Sequence, residues 1–265
     1  MGYAAEFITM LKGSIFLDME NLNRFGGWNI RFEAVRRLVE SKGIQVVRAN
    51  AYMAVDAERE RRDEDYKKKK SEYRAVIRRA GFHVNTTDTT RAPNPHYEDE
   101  WVIKANVDVD MIVDLMTQCH NVDYVLIGSG DGDMAPVVRW LQSQGKRVDL
   151  LAFGHPDPTV REEVDNFHSG YLYPEILPAY DDEDDRMRGY LHMVNEDKGF
   201  GFLTVRSGTP GEPDRTDIFL HITDFEQQLD NKEFARLKTH ERIVEFTLFE
   251  SEDGKFQAKE AVVLD

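Results

Sequence analysis

Apolar positions in the first two thirds of the chain alternate between two rhythms. Ser14-Ile15-Phe16-Leu17-Asp18-Met19 is an apolar run ending in an acid, which predicts a buried strand. Phe32, Val35, Leu38 and Val39 recur at helical spacing and Gly43 closes that helix. Ile44 to Ala49 reads as a second strand. From about Asp56 to Ala80 the chain is densely charged, a solvated helix ended by Gly81. Phe82 to Asn85 reads as a short strand, and Arg91 to Glu100, with Pro93 and Pro95, as a loop. A helix from near Val107 places Ile112, Leu115 and Met116 on one face. The strand Tyr124 to Ile127 leads into the turn Gly128 to Asp133, the helix carrying Val137, Val138 and Leu141, and the strand Arg147 to Phe153. Apolar strands alternating with helices predict an α/β domain, a Rossmann-like parallel sheet covered on both faces.

After Tyr180 the rhythm changes to short, alternating, turn-bounded segments, which predict a small all-β barrel. The run Asp181-Asp182-Glu183-Asp184-Asp185 reads as a linker. The expected organisation is therefore 1–180 α/β, 181–185 acidic linker and 186–265 barrel.

Length and charge sharpen this picture. Two domains suit 265 residues, and a 41% hydrophobic content suffices for real cores. The single cysteine, Cys119, forbids an internal disulfide. The N-terminus lacks the basic start and apolar run of a signal peptide, and no apolar run approaches the ~20 residues of a membrane span. A cytoplasmic protein without membrane contact is expected, its oligomeric state left open. A net charge of −15 is unusual for a phosphate binder, since such proteins are generally basic. A site that gathers carboxylates around a cation reduces that conflict.

Four acids stand out by position. Asp18 closes the first strand, Asp131 and Asp133 follow the strand Tyr124 to Ile127, and Asp108 opens the helix before it. Open α/β sheets bind ligands at the carboxyl ends of their strands. Clustered carboxylates must share protons or hold a cation, and oxygen-only ligands suit Mg²⁺ or Mn²⁺. The competing reading makes Asp18, Asp108 and Asp133 helix caps, with Pro136 in a first helical turn.

Three ordered segments carry a resemblance. Asp18-Met19-Glu20-Asn21 is similar to the opening Asp-x-x-Asn signature of NYN domains. Lys104-Ala105-Asn106-Val107-Asp108 resembles their Lys-Gly-x-x-Asp segment, and Ser129-Gly130-Asp131-Gly132-Asp133-Met134-Ala135-Pro136 their Ser-Gly-Asp-x-Asp-Phe-x-Pro segment. The bacterial LabA-like group is the most similar variant. The resemblance implies a PIN-like fold and a metal-dependent ribonuclease, with Asp18, Asp108, Asp131 and Asp133 as catalytic metal ligands. It also implies that Asn21 and Ser129 orient phosphate or water and that Lys104 contacts phosphate, while Asp110, which shares a helix face with Asp114, lies either just outside the ligand set or on the surface. Ala105 and Met134 depart from the pattern.

A second cluster is aromatic. Phe200 and Phe202 lie two apart, as do Phe219 and His221, so each pair shares a strand face. They form either a base-stacking platform or a core stripe. Gly189 to Leu203, with Lys198, and Asp217 to Thr223 resemble the two signatures of a cold-shock domain, an OB-type barrel. That resemblance implies binding of single-stranded nucleic acid through Lys198, Phe200, Phe202, Phe219 and His221. Met193 stands where the family has a stacking tryptophan, His192 replaces a lysine and Ile222 a third aromatic. Residues 186–265 also hold 11 Lys or Arg against 16 Asp or Glu. Both features predict weak binding, or a barrel turned to protein contact.

The leading expectation is an endoribonuclease acting on single-stranded RNA, with DNA not excluded. The alternatives are a non-catalytic RNA-binding regulator and a metal-dependent phosphatase. Against one kind of phosphatase, the haloacid-dehalogenase kind, Glu20 replaces the second acid of its Asp-x-Asp. The basic stretch Arg59 to Arg79 reads either as a guide for RNA or, more simply, as a salt-bridged solvated helix.

Overall fold

The computed structural model describes residues 10–93, 101–178, 186–206, 213–251 and 253–264, with only the backbone of 91–93 and 101–104. Its contacts divide into two compact units, Met1–Trp28 with Phe32–His168, and Asn29–Arg31 with Ser169–Asp265.

In chain order the α/β part runs β1 (Leu11–Asp18), α1 (Met19–Arg24), α2 (Phe32–Glu40), β2 (Ile44–Val55), α3 (Ala57–Arg62), α4 (Glu64–Arg79), β3 (His83–Asp88), β4 (Thr90–Pro93), β5 (Trp101–Lys104), α5 (Val107–Gln118), β6 (Tyr124–Gly128), α6 (Ala135–Ser143), β7 (Arg147–Ala152), α7 (Pro158–Glu163) and β8 (Asn166–Ser169). Six strands form one parallel sheet in the order β3-β2-β1-β6-β7-β8. The chain builds outward from β1 on one side and then returns to start β6 on the other. The carboxyl ends of β1 and β6 therefore flank the topological switch point, where such sheets open a crevice. Ile15, Phe16 and Leu17 are fully buried, as a central strand covered on both faces requires. On one face Phe16, Val125 and Ile127 pack against Met111, Leu115, Val138 and Leu141 of α5 and α6.

Several elements differ from their sequence reading. The second strand continues to Val55, because its later half pairs with both β1 and β3. The charged helix is two helices, broken where Asp63 caps the second through Tyr66 N. A short helix, α1, follows Asp18 directly. The expected loop after residue 90 contains an antiparallel pair, β4 with β5, while residues 94–100 lie outside the described ones. On α5 the buried stripe is Val107, Met111 and Leu115, and Met116 is exposed.

Towards the amino end of the sheet Asp149 is wholly buried. It accepts from Tyr124 at 2.9 Å and Arg147 at 3.2 Å, with Lys42 Nζ at 2.5 Å and His168 Nε2 at 3.0 Å. Burial alone would raise its pKa, but the His168 and Lys42 hydrogen bonds outweigh it and hold the carboxyl far below its usual 3.8. A lowered folded pKa stabilises the fold above the unfolded value, and that contribution disappears as pH falls through the folded one. The stability difference between wild type and Asp149→Asn should therefore be full at neutral pH and shrink only below about 3.8. Denaturant titrations across pH would show this, and a difference that shrinks already near neutral pH would overturn it.

The second unit contains β9 (Arg186–Asn195), β10 (Phe200–Val205), β11 (Arg215–His221), α8 (Asn231–Thr239), β12 (Ile243–Glu250) and β13 (Phe256–Val263). The five strands close into a barrel in the order β10-β11-β13-β12-β9, consistent with a cold-shock or OB-type domain. Leu191, Leu203, Ile218, Leu220, Val244 and Phe246 fill it, joined by Phe234 and Leu237 of α8. The acidic run 181–185 lies outside the described residues. Residues 169–178, read from sequence as part of the first domain, group with the barrel unit.

Candidate active site and aromatic platform

Parallel pairing sets Leu17 opposite Gly128, so the chain leaves β1 and β6 side by side. Asp18 is the residue at which β1 turns into α1. Its Oδ1 accepts from Glu20 N at 3.1 Å and Asn21 N at 3.0 Å, capping the helix. Asn21 then reaches across and accepts from Gly130 N at 2.7 Å. The spacing of Asp18 and Asn21 thus has a structural cause, since the cap and the cross-link must sit on one helical turn. Gly130 permits this approach, as a Cβ there would lie 3.2 Å from the Pro156 backbone. Asp131 accepts from Asp133 N at 3.0 Å, and its own N donates to Ser129 Oγ at 3.3 Å.

These elements open a cavity of about 590 Å³. Asp18, Asp108 and Asp131 all line it, together with Asn21. Burial raises the Asp18 pKa, the neighbouring carboxylates of Glu20 and Asp131 push the same way, and the two backbone donors oppose them. A carboxylate held in that condition favours a cation at hand. Three sequence-predicted residues are placed elsewhere. Asp133 is exposed and outside the lining, Ser129 is fully buried beneath the turn, and Asp110 accepts from Thr87 Oγ1 at 2.6 Å. The Lys104 side chain lies outside the described residues.

Sequence reasoning did not place further lining residues, and for the stretch Arg59 to Arg79 it favoured a solvated helix over a guide for RNA. Asp56, Arg59, Tyr66 and Lys70 line the cavity, with Glu20 and Arg24. Asp56 was hidden because the second strand was read as ending at Ala49. Its true end at Val55 puts Asp56 on the same carboxyl edge as Asp18.

On the barrel, Phe200, Phe202 and Phe219 stand outside the core, each half-buried. Phe202 pairs with Met193 and Phe219 on its two neighbouring strands, and Phe200 with Asn195 and His221. Phe200 stacks on Phe219 with centroids 5.6 Å apart, and Phe202 meets Phe219 edge-on at 5.8 Å. The core-stripe reading is thereby replaced by an outward platform, with Met193, 37% exposed, in its row. His221 Nδ1 lies 2.7 Å from Thr223 Oγ1, and Lys198 is exposed at the turn capped by Asn195.

An NYN domain profile matches residues 12–176, well over half of the chain. The chain belongs to the NYN family. NYN domains are PIN-like and generally nuclease-like, so the cavity lies in a domain of nuclease type. No curated protein matches the chain. A crystal structure of a protein of unknown function from Vibrio parahaemolyticus is similar, at 22% identity and a TM-score of 0.45, over 60% of this chain and 91% of that one. Among the described residues of the NYN protein, no helix is long and apolar enough to cross a membrane.

PIN-like nucleases usually use divalent metals. The donors in this cavity are carboxylate and amide oxygens, which suit a hard ion. Among the described residues no three His, Cys, Asp or Glu side chains form a ready ligand set. An ion here would be held by one or two carboxylates, with water and substrate phosphate completing its shell, the usual manner of Mg²⁺.

Proposed function

We propose that this protein is an endoribonuclease that hydrolyses single-stranded RNA with Mg²⁺ or Mn²⁺, the barrel acting as an accessory hold on the strand. The observation that carries this reading is the convergence of Asp18, Asp108 and Asp131, from three separate segments, on one cavity at the switch point of an NYN sheet. A bound divalent ion would lower the pKa of a water and offset charge on the phosphate. Asp18 and Asp131 would hold the ion, and Asp108 would join through the first turn of α5. Asn21 has its oxygen committed to Gly130 N, which leaves its amide nitrogen to donate to phosphate. Asp133 acts through its backbone, as the donor that orients Asp131.

The division of the chain into a nuclease domain, an acidic linker and a nucleic-acid-holding barrel belongs to this reading. Stacking is tolerant of sequence, and the outward rings suit an unpaired strand.

The deciding experiment incubates the full chain with end-labelled single-stranded RNA, and separately DNA, in Mg²⁺, Mn²⁺ or chelator. Internal cleavage of RNA in either metal and none in chelator is expected. Binding without cleavage in every condition would make the protein an RNA-binding regulator, and preferential cutting of DNA would reassign the substrate.

A further inference from the structure

The basic part of the cavity lining has a specific construction. Arg59 of α3 places its guanidinium carbon 4.2 Å from the centroid of the Tyr66 ring, and Lys70, one turn beyond Tyr66, brings its ammonium to 5.7 Å. All three line the cavity. Lys70 ends a run of four lysines, and it alone is drawn in from full exposure, while Lys67, Lys68 and Lys69 are exposed and outside the lining. Asp56 and Asp63 cap α3 and α4, which fixes the angle at which Arg59 meets Tyr66. Arg74 and Glu60 join the two helices from behind, at 2.7 and 3.3 Å. Arg59 reaches a carboxylate only at 4.0 Å, and among the described residues Lys70 has no carboxylate partner.

Two cations gathered on an aromatic ring line a carboxylate-bearing cavity, Arg59 in a long 4.0 Å ion pair with Asp63 and Lys70 in none among the described residues. We propose that Arg59 and Lys70, gathered by Tyr66, grip the backbone phosphate next to the scissile one, so that the cleft itself recognises a single strand. This rests on the nuclease reading above and adds the residues that select the substrate. A cavity of about 590 Å³ is of small-ligand size and accommodates a nucleotide or two of an unpaired strand. Arg59, Tyr66 and Lys70 are positioning residues, since they share the cleft with the acids and act on the phosphate that fixes the register of the strand. A grip made of charges carries a salt signature, with log affinity falling by about 0.7 per phosphate neutralised on a single strand for each decade of salt.

The test uses the full chain carrying Asp131→Asn, to stop turnover, and Phe200→Ala with Phe219→Ala, to remove the barrel platform. The probe is a fluorescein-labelled RNA tetranucleotide in Mg²⁺, followed by anisotropy over a salt series. Adding Arg59→Gln with Lys70→Gln should weaken binding at least tenfold and flatten the salt slope by about 0.7. Adding Arg59→Lys with Lys70→Arg should restore most of the affinity, which a loss of fold would not permit. The same charge change at Lys68→Gln with Lys69→Gln should leave affinity within about twofold and the slope intact. Equal weakening by both glutamine pairs would reduce the effect to the general field of the helix and overturn the grip. Unchanged affinity and slope in Arg59→Gln with Lys70→Gln, or no binding by the parent chain, would also overturn it. Failure of wild type to cleave RNA, with the grip signature present, would remove the nuclease reading and leave the grip standing.

Discussion

An Asp131→Asn chain should lose metal-dependent RNA cleavage by at least about 100-fold and keep its fold. Groups one layer beyond a metal's ligands already change activity by about 10–100-fold when altered, and on the proposed reading Asp131 would touch the ion itself. The substitution separates two roles of one side chain. As a cap, Asp131 accepts from Asp133 N, and the amide oxygen of asparagine can accept in the same place. As a ligand it supplies negative charge to the cavity, and that is lost. Thermal midpoints in chelator should therefore agree between the two chains while cleavage differs. Equal cleavage by both would trace the activity to a contaminant or to other residues.

Phe200→Ala with Phe219→Ala should weaken binding of a long single-stranded RNA by about 2–6 kcal/mol, from two bases at about 1–3 kcal/mol each. These rings lie outside the barrel core, so their removal leaves Leu203, Ile218 and Leu220 packed as before. Neither ring lines the acid cavity, so cleavage at saturating RNA should stay within about twofold of wild type. At low RNA the rate should fall with affinity, because a strand held by one domain is presented to its covalently joined neighbour at raised local concentration. A folded double variant that binds RNA as tightly as wild type would remove the barrel as the hold and, given its acidity, turn attention to a protein partner.

How much of this was legible in the sequence depended on the range of the interaction. The parallel sheet and the barrel were readable because strand burial leaves continuous or alternating apolar runs, as in Ile15 to Leu17 or Phe200 to Leu203. Asp18 and Asp131 were readable as lining residues because the ends of apolar runs mark the carboxyl edge, and Asp108 because its motif puts it in the first turn of α5. Asp133 belongs to the same motif as Asp131, yet its side chain is exposed and outside the cavity lining. The outward setting of Phe200, Phe202 and Phe219 could not be decided from alternation alone, which gives two faces without saying which is inner. The wall of Arg59, Tyr66 and Lys70 was obscured by composition. Its residues sit in a charge-rich stretch whose period is blurred, and the break at Asp63 shifts the phase between its halves.

The single hydrogen bond from Gly130 to Asn21 spans 109 positions of the chain. It joins α1, which directly follows β1, to a turn that emerges much later. The cleft therefore has no partial form: until β6 has docked beside β1, Asp18 and Asp131 belong to unconnected segments. Such long-range pairings form late in folding, because closing the intervening loop comes before any gain from contact. A nascent chain that ends short of the second motif carries Asp18 but no site, and a fragment left by proteolysis between the motifs has no cleft once its halves separate. Synthesis and turnover of this protein thus pass through species in which the cleft is not assembled.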